Sequence, residues 1–198
     1  SFYGYIHVPW IRHGQRQFTE DDLPSAEEKC HLYHLGYQLL FEMGYREIGM
    51  NHFVRKSDPL WEALTTKKLH RNFMGYFPWV ATPLIGLGVS AMGDSWTAFA
   101  QNEKQLEMYQ ARIAAGELPL VRGHQLNEND LVLRKHIFNL ITQMETHGSF
   151  DSLALTELAK DGLVRLGSNV CEVTEMGRGY LRNICAAFDL RRRHRGRL

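Results

Sequence analysis

The chain has 198 residues, of which 44% are hydrophobic and 23% are charged, and its formal net charge is +1. This composition is ordinary for a globular protein, and the length allows one large domain or a domain with a smaller appendage. The small net charge excludes a general attraction to nucleic acid or anionic membranes, and no apolar run reaches the roughly 20 residues that span a bilayer.

The opening of the chain predicts strands that alternate with helices. Strands are predicted over residues 2–9, 45–54 and 84–91. Between the first two, Ser25 and Glu28 form a capping box that starts a helix, which runs to about Met43. Asp58 and the proline after it predict a short helix to about residue 69. The order strand, helix, strand is typical of a parallel α/β unit.

The later part of the chain predicts mainly helices. They are expected over residues 102–115, 128–145, 153–160 and 174–189. Two short strands, 163–166 and 170–173, are joined by Gly167-Ser168-Asn169, a hairpin signal. The last helix is expected to turn Met176, Tyr180, Ile184 and Phe188 inward. Helix, helix, two-stranded wing and helix is a winged-helix-like order.

The division of the chain follows this change in composition. We expect two parts, residues 1–116 and 117–198, and the second ends in a basic tail with five arginines between residues 191 and 197. Such a tail is usually solvated. The chain opens inside a predicted strand without an initiator Met, which we interpret as a sign that it is a piece of a longer protein.

The cysteines point to a reducing compartment. There are three, Cys30, Cys171 and Cys185, and they are far apart in the sequence. They show neither a disulfide framework nor metal-ligand spacing, which favours the cytoplasm. We expect no metal site in this chain.

Ionisable residues and glycines at the predicted strand ends are the candidate functional residues. His52 follows Asn51 in the second predicted strand, with Arg55 shortly after it, and His70-Arg71-Asn72 places two cationic groups beside an amide. These groups suit carboxylates or phosphate. An ion pair of Arg71 with Glu47 or Asp58 explains the same residues equally well. Gly86 and Gly88 leave room for a ligand near the backbone, although they do not form a dinucleotide fingerprint.

Several of these segments together resemble one enzyme family, the oxygen-independent coproporphyrinogen III oxidases of haem biosynthesis, which are radical S-adenosylmethionine enzymes. The resemblance covers nearly the whole chain. It rests on Tyr5-Ile6-His7-Val8-Pro9, Asp22-Leu23-Pro24-Ser25, Ile48-Gly49-Met50-Asn51-His52-Phe53, His70-Arg71-Asn72-Phe73, Gly86-Leu87-Gly88-Val89-Ser90-Ala91, Ala159-Lys160-Asp161-Gly162-Leu163-Val164 and Arg182-Asn183-Ile184-Cys185. The related haem chaperones differ at residues 49–53.

The resemblance implies an α/β fold class: the last strands and helices of a partial (β/α) radical-SAM barrel, followed by a mainly helical, winged-helix-like domain. In the complete enzyme it implies a 4Fe-4S cluster and S-adenosylmethionine. The substrate would be coproporphyrinogen III, two of whose propionates are oxidatively decarboxylated to vinyl groups, giving protoporphyrinogen IX. The family's two S-adenosylmethionine contacts that map onto this chain fall at Ile6 and Met92.

The chain also departs from the family. The Cys-x-x-x-Cys-x-x-Cys loop that binds the cluster is absent, so the chain resembles only the C-terminal half. We therefore expect no catalytic residue and no bound cofactor in this half, and no activity from it alone. Asn51 replaces the usual Asp, and residues 77–83 replace a polar loop of the family near the expected substrate.

The expected substrate has four propionates, which need cationic partners. His52, Arg55, His70 and Arg71 are the available cations, and Gly86 and Gly88 would keep the floor of the site open. The alternatives are a haem chaperone-like radical-SAM relative and a winged-helix module that binds nucleic acid or a protein. A DNA reader needs a basic recognition helix. The helix before the wing carries Asp151, Glu157 and Asp161 against Lys160, so we expect neither nucleic acid nor a membrane as a partner.

Overall fold

A capping box starts the first long helix in the computed structural model, which describes residues 1–80, 83–151 and 153–189. The Glu28 backbone N–H donates to the Ser25 hydroxyl, and the Ser25 backbone N–H donates to the Glu28 carboxylate at 2.8 Å. This helix, α1, spans Ala26–Glu42, and Gly44 follows it with a φ of +86°. The predicted helix is confirmed. The basic tail lies outside the described residues.

The opening segment forms no strand, contrary to the prediction for residues 2–9. Its anchor is Phe2, whose backbone N–H donates to the Asn51 carbonyl oxygen at 3.3 Å. The Phe2 ring stacks on Phe53 with centroids 5.4 Å apart. Ring packing, this single backbone hydrogen bond and the Gln15 side chain, which bonds to the backbone of Ile6 and Val8, hold the segment without a strand ladder.

The predicted strand over residues 45–54 is wrong, because the chain reverses in the middle of it. Strand β1, Tyr45–Gly49, pairs antiparallel with β2, His52–Arg55. Met50 and Asn51 make the turn with positive φ angles of 49° and 62°, as a type I′ hairpin turn requires. The expected parallel strand–helix–strand unit is therefore replaced by a hairpin beside α1.

A second hairpin follows the next helix. Helix α2 spans Pro59–Thr65, and its first turn is capped by Asp58, whose carboxylate accepts from the Leu60 N–H at 2.8 Å. It ends earlier than predicted. Strands β3, His70–Asn72, and β4, Gly75–Phe77, were not predicted and pair antiparallel. A small core joins these elements; it consists of Ile48, Val54, Ala63, Leu69 and Tyr76.

A three-stranded antiparallel sheet occupies the middle of the chain, in the order β5–β6–β7. These strands are Met92–Asp94, Ala98–Asn102 and Leu120–Gln125. The predicted strand over residues 84–91 is wrong, since only Leu84 makes a bridge, to Asp94. The predicted helix 102–115 begins later, as α3, Leu106–Ala114.

Asn102 explains why residues 84–91 stay irregular. Its side-chain amide donates to the carbonyl oxygens of Gly86 at 3.0 Å and Gly88 at 2.9 Å, so it takes the place of a neighbouring strand. The same residue ends β6 in a buried position. It therefore cannot start the helix that the sequence pattern placed there.

The last part of the chain closely follows the prediction. Helices α4, Glu128–Gln143, and α5, Leu153–Lys160, precede an antiparallel hairpin of β9, Val164–Leu166, and β10, Val170–Val173. Strand β8, Glu145–His147, was missed, and it pairs with β10 on the side away from β9.

The final helix is shorter than predicted. A 3-10 turn over Met176–Tyr180 leads into α6, Leu181–Phe188. Ile184 and Phe188 are buried, as predicted, whereas Met176 and Tyr180 are half exposed because the 3-10 turn faces them outward. The larger core lies here, between α4, α5, α6 and the hairpin; its members include Leu140, Leu155, Cys171, Leu181 and Ile184.

The described residues thus form a mixed α/β structure with small sheets, and every strand pairing among them is antiparallel. In the same part of the chain, no helix has the length and apolar character that crossing a membrane requires.

Candidate functional site

Strand β3 carries two of the candidate cations, His70 and Arg71, in different surroundings. His70 is buried, with its ring 5.0 Å from that of Phe138 and 6.2 Å from that of Trp96. Desolvation in this aromatic setting lowers the pKa of His70, although the nearby Asp94 opposes the shift. The neutral form of the His70 ring is therefore favoured, and this ring lines a cavity together with Phe138 and Trp79.

Arg71 lies across the β3–β4 ladder from Tyr76, and its guanidinium carbon is 4.6 Å from the centre of that ring. The Tyr76 hydroxyl donates to the Ile141 carbonyl oxygen at 2.7 Å, which ties the hairpin to α4. Among the described residues, the Arg71 Nη1 atom is buried and has no hydrogen-bond partner.

The internal ion pairs considered for Arg71 are not formed. The carboxylate of Glu47 lies 3.9 Å from Arg178, and that of Asp58 caps α2. The structure therefore gives the Arg71 guanidinium a ring to stack on but no salt-bridge anchor among the described residues.

Arg134 on α4 is a functional candidate that the sequence analysis missed. Its Nη2 atom donates to the Asp94 carboxylate at 2.6 Å, and its guanidinium lies over the rings of Trp96 and Phe99, at 4.2 Å and 4.7 Å. Its Nη1 atom is buried and, within the described part of the chain, has no hydrogen-bond partner. The only sequence signal was an Arg inside the apolar stripe of a helix.

Arg71 and Arg134 line the same cavity, which has a volume of about 500 Å³. Its apolar wall comes from Phe73, Phe99, Leu126, Leu133, Ile137, Phe138 and Ile141. Its other ionisable groups are Asp94, Asp130, Asp189 and His124. The Asp94 carboxylate is paired with Arg134 and that of Asp130 lies 3.4 Å from His124, and Asp189 is likewise a residue with a partner. We call this space the two-arginine cavity.

His52 does not line this cavity, but like Arg71 it contacts the Tyr76 ring. Its ring meets the Tyr76 ring edge-on, with centroids 5.1 Å apart, and its Nδ1 lies 2.8 Å from the Met50 carbonyl oxygen. This contact assigns the Nδ1 proton, and Nε2 lies 3.4 Å from the Tyr3 hydroxyl. Desolvation lowers the pKa of His52.

The remaining candidates lie elsewhere. Arg55 is exposed at the end of β2, with its guanidinium carbon 5.3 Å from the Tyr45 ring centre. Gly86 lines a second cavity of about 500 Å³ between the 84–88 segment, β6 and α3, and Gly88 donates its N–H to the Tyr109 hydroxyl oxygen at 3.2 Å. The structure thus does not place these glycines on the wall of the two-arginine cavity.

The two residues expected near S-adenosylmethionine are also apart from that cavity's lining. The Ile6 side chain is 72% exposed in the opening segment. Met92 begins β5, where it pairs with Gln101. Two further departures have structural roles: Asn51 accepts a hydrogen bond from the Tyr33 hydroxyl at 3.2 Å, and Trp79 borders a cavity that His70 also lines.

Comparison with known proteins identifies relatives of this chain, although no family model matches it. It is 36% identical to the oxygen-independent coproporphyrinogen III oxidase of Escherichia coli over its full length, and this match covers 47% of that protein. The corresponding enzyme of Pseudomonas aeruginosa is 34% identical over 96% of the chain and 44% of its own length. That of Synechocystis is 32% identical over 96% and 45%.

The solved structures give the same result. The chain superimposes on coproporphyrinogen III oxidase from Escherichia coli, described as a radical SAM enzyme, with a TM-score of 0.88 and 35% identity. That match covers 94% of this chain and 46% of the solved one. The chain therefore spans about half the length of the relatives that it matches. It is related in sequence and fold to the C-terminal part of the oxygen-independent coproporphyrinogen III oxidases.

Proposed function

We propose that this chain is the C-terminal portion of an oxygen-independent coproporphyrinogen III oxidase. The complete enzyme would oxidatively decarboxylate two propionates of coproporphyrinogen III to vinyl groups, giving protoporphyrinogen IX. The observation that carries the proposal is the agreement of sequence and fold over 94–100% of the chain with a single enzyme. The haem chaperone-like alternative has no comparable support.

The site residues follow from the substrate's carboxylates. We propose that Arg71 and His52 face the bound substrate and that the ring of His70 lies next to them. Arg71 supports this role because it has a buried N–H group without a partner among the described residues. Arg55, Gly86 and Gly88 remain proposed substrate-side residues, although none of them lines the two-arginine cavity: Arg55 is exposed, and Gly86 borders a different cavity.

The cofactors belong to the complete enzyme in this proposal. A 4Fe-4S cluster needs cysteine thiolates, and the three cysteines do not fit it. Cys30 is exposed on α1, whereas burial raises the pKa of the Cys171 and Cys185 thiols to about 11 and about 12. No cluster of three metal-ligating side chains occurs among residues 1–80, 83–151 and 153–189.

S-adenosylmethionine would also be bound by the complete enzyme. We propose that Ile6 and Met92 contact it there, and the exposure of Ile6 leaves its side chain available for such a contact. The chain alone would then be inactive, because it cannot supply the cluster ligands.

The finer architecture is part of the same proposal. Residues 1–116 would be the end of the catalytic region and a partial barrel, and residues 117–198 a winged-helix-like domain. The order α4, β8, α5, β9, β10, α6 supports the second assignment. Strand β7 connects the two parts by pairing with β6. The acidic residues Glu157 and Asp161 near the end of α5 argue against a nucleic-acid reader, and the scattered cysteines favour the cytoplasm.

We propose that an apolar stripe on α1 packs against the part of the enzyme that this chain does not match. The stripe consists of Leu32, Leu35 and Leu39 together with Met43, the residue that caps the end of α1, and its members are 45–66% exposed. Its spacing places these residues on one helix face. The helix buries none of its residues among the described elements, and the relatives are about twice as long as the chain, so they carry the polypeptide to cover it.

A chimera tests the proposed function. The part of the Escherichia coli enzyme that precedes the match is fused to this chain, the cluster is reconstituted anaerobically, and protoporphyrinogen formation is measured after oxidation to the fluorescent porphyrin. We expect turnover by the chimera and none by the chain alone. A folded, cluster-containing chimera that binds S-adenosylmethionine but leaves coproporphyrinogen unchanged contradicts the proposal.

A further inference from the structure

We propose that the two-arginine cavity is a subsite for one propionate arm of the substrate, with Arg71 and Arg134 as its carboxylate-binding pair. This inference rests on the proposed function. It adds Arg134 as a substrate-binding residue, and it states that the cavity binds a propionate arm while the macrocycle stays outside.

The unpaired guanidinium nitrogens carry the argument. Three buried side-chain polar atoms lack a hydrogen-bond partner among the described residues: Glu47 Oε2, Arg71 Nη1 and Arg134 Nη1. Two of the three therefore belong to arginines that line one cavity. A buried charged donor without a partner is costly, and the cost is removed when an anion accepts from it. Carboxylates match the planar guanidinium better than other common anions except phosphate.

Both arginines are held in place before any ligand arrives. Arg134 is fixed by its ion pair with Asp94 and by the rings of Trp96 and Phe99. Arg71 is held over Tyr76, whose hydroxyl is bonded to α4. Such prior ordering reduces the entropy that binding costs.

The ion pairs in the cavity determine which cationic group is available to bind a ligand carboxylate. Three carboxylates line it: that of Asp94 is paired with Arg134, that of Asp130 lies against His124, and the third belongs to Asp189, a residue that also has a partner. Arg71 is the cation for which no salt bridge occurs in the described part of the chain. A ligand carboxylate would therefore meet Arg71 first, with Arg134 as the second donor.

The size and lining of the cavity fit a side arm. A volume of about 500 Å³ corresponds to roughly 17 water molecules at liquid density. A tetrapyrrole with four propionates has far more than about 17 non-hydrogen atoms, so the whole molecule does not fit into this volume. The apolar wall, which includes Phe99 and Ile137, suits the methylene groups of a propionate. The macrocycle would remain outside.

Binding of coproporphyrin III, the stable oxidised form of the substrate, to this chain tests the subsite. The dissociation constant is measured by fluorescence titration for the wild type, Arg71→Lys, Arg134→Lys and Arg165→Lys. Lysine keeps the charge but loses the fork of N–H donors. Arg165 is a matched control, because it is ion-paired to Glu172 at 2.8 Å on the exposed hairpin. The tetramethyl ester of coproporphyrin III lacks the four carboxylates. Titrating it and the free acid in one buffer that contains detergent shows how much of the binding free energy depends on the carboxylates.

We expect Arg71→Lys and Arg134→Lys to weaken coproporphyrin binding at least about tenfold, with Arg165→Lys within about twofold and the ester insensitive to all three substitutions. Thermal melts show that each variant is folded. If Arg134→Lys does not fold, Arg71→Lys, which breaks no ion pair among the described residues, decides alone. Failure of the wild type to bind, or unchanged binding by a folded Arg71→Lys variant, overturns the subsite. An inactive chimera with intact, arginine-dependent binding contradicts the proposed function only.

Discussion

The imidazole Nδ1 of His136 lies 2.9 Å from the Thr146 hydroxyl oxygen, so a fully buried hydrogen bond joins α4 to β8. Its Nε2 lies 3.1 Å from the Ser149 carbonyl oxygen. A neutral ring satisfies both contacts, with Nε2–H donating to Ser149 and Nδ1 accepting from Thr146. Desolvation lowers the pKa of His136 in the folded chain.

This geometry predicts that acid destabilises the fold. Because the pKa is lower in the folded state, the unfolded chain binds more protons once the pH falls below about 6.5. The contribution of His136 is therefore fully present above that pH and is lost progressively as the pH falls from there through the lower pKa of the folded state. His52 and His70, whose pKa values are also lowered, act in the same direction.

Urea melts at pH 7.5 and pH 5.5 measure the effect. We expect the wild type to be less stable at pH 5.5. His136→Gln should be less stable than the wild type at pH 7.5 but should lose less between the two pH values. His147→Gln, at an exposed position on β8, is the control for the His-to-Gln change itself. An unchanged pH dependence in His136→Gln contradicts the prediction.

Local signals explain which parts of the fold could be predicted from the sequence. Helices α1, α2 and α4 begin at side-chain caps, and Gly167-Ser168-Asn169 form the turn that joins β9 to β10. The wrong strand over residues 45–54 lies where the chain reverses without such a signal. Met50 and Asn51 turn β1 into β2 with positive φ although neither is glycine. Within a run of strand-forming residues, this reversal looks like one continuous strand.

The candidate site was predictable only in part, for a similar reason. His70 and Arg71 stood out because they place two cationic groups next to each other, beside the amide of Asn72. Arg134 is 63 positions further along the chain than Arg71 and reaches the same cavity only because α4 packs over β3. A contact between distant segments produces no periodic pattern in the sequence. Arg134 could therefore not be identified from residue spacing as the second arginine of the cavity.

Phe188 is expected to anchor the last helix. It is 4% exposed, and its ring lies 5.6 Å from both Phe150 and His136. Replacing it with Ala should cost about 3–5 kcal/mol, because the large buried ring leaves a cavity. Tyr180→Ala, at a position 47% exposed, should cost less than about 1 kcal/mol. Denaturant melts of both variants provide the measurement, and a loss under about 1 kcal/mol for Phe188→Ala would show that α6 is peripheral.

Gly86 and Gly88 form a pair in which steric crowding can be separated from backbone strain. A Cβ at Gly86 would lie 2.7 Å from the Met92 backbone oxygen, whereas one at Gly88 meets open space but has a φ of +98°. Gly88→Ala should cost about 1–2 kcal/mol from strain alone. Gly86→Ala should cost about 1–3 kcal/mol from overpacking and should also displace residues 84–88 from β5.

Unfolding melts together with proteolysis of the 84–88 segment distinguish these two glycine variants. We expect faster cleavage in Gly86→Ala than in Gly88→Ala. Equal stability and equal cleavage of Gly86→Ala and the wild type would mean that the close approach to Met92 is not needed.

The chain alone is expected to assemble no iron–sulfur cluster. Its three cysteines are on α1, β10 and α6, and the thiols of Cys171 and Cys185 have raised pKa values because they are buried. Anaerobic reconstitution with iron and sulfide, followed by visible absorbance and iron analysis, should give no stoichiometric signal. The chimera, treated in parallel, is the positive control. One 4Fe-4S cluster per isolated chain would contradict this expectation.

The apolar stripe on α1 should matter only when the rest of the enzyme is present. Leu35→Lys places a charge in the middle of the stripe, and Gln38→Lys places the same charge at an exposed polar position of the same helix. In the chain alone, both substitutions should change the free energy of unfolding by no more than about 0.5 kcal/mol, because both side chains are already exposed.

In the chimera the two substitutions should separate. Leu35→Lys loses about 1.5–3 kcal/mol of hydrophobic burial and also buries a charge if the stripe is covered, so the chimera should melt at a lower temperature and lose turnover. Gln38→Lys should behave as the parent. If Leu35→Lys leaves the melting temperature and activity of the chimera at the level of Gln38→Lys, the stripe faces solvent in the complete enzyme, and the remaining polypeptide contacts this chain through another surface.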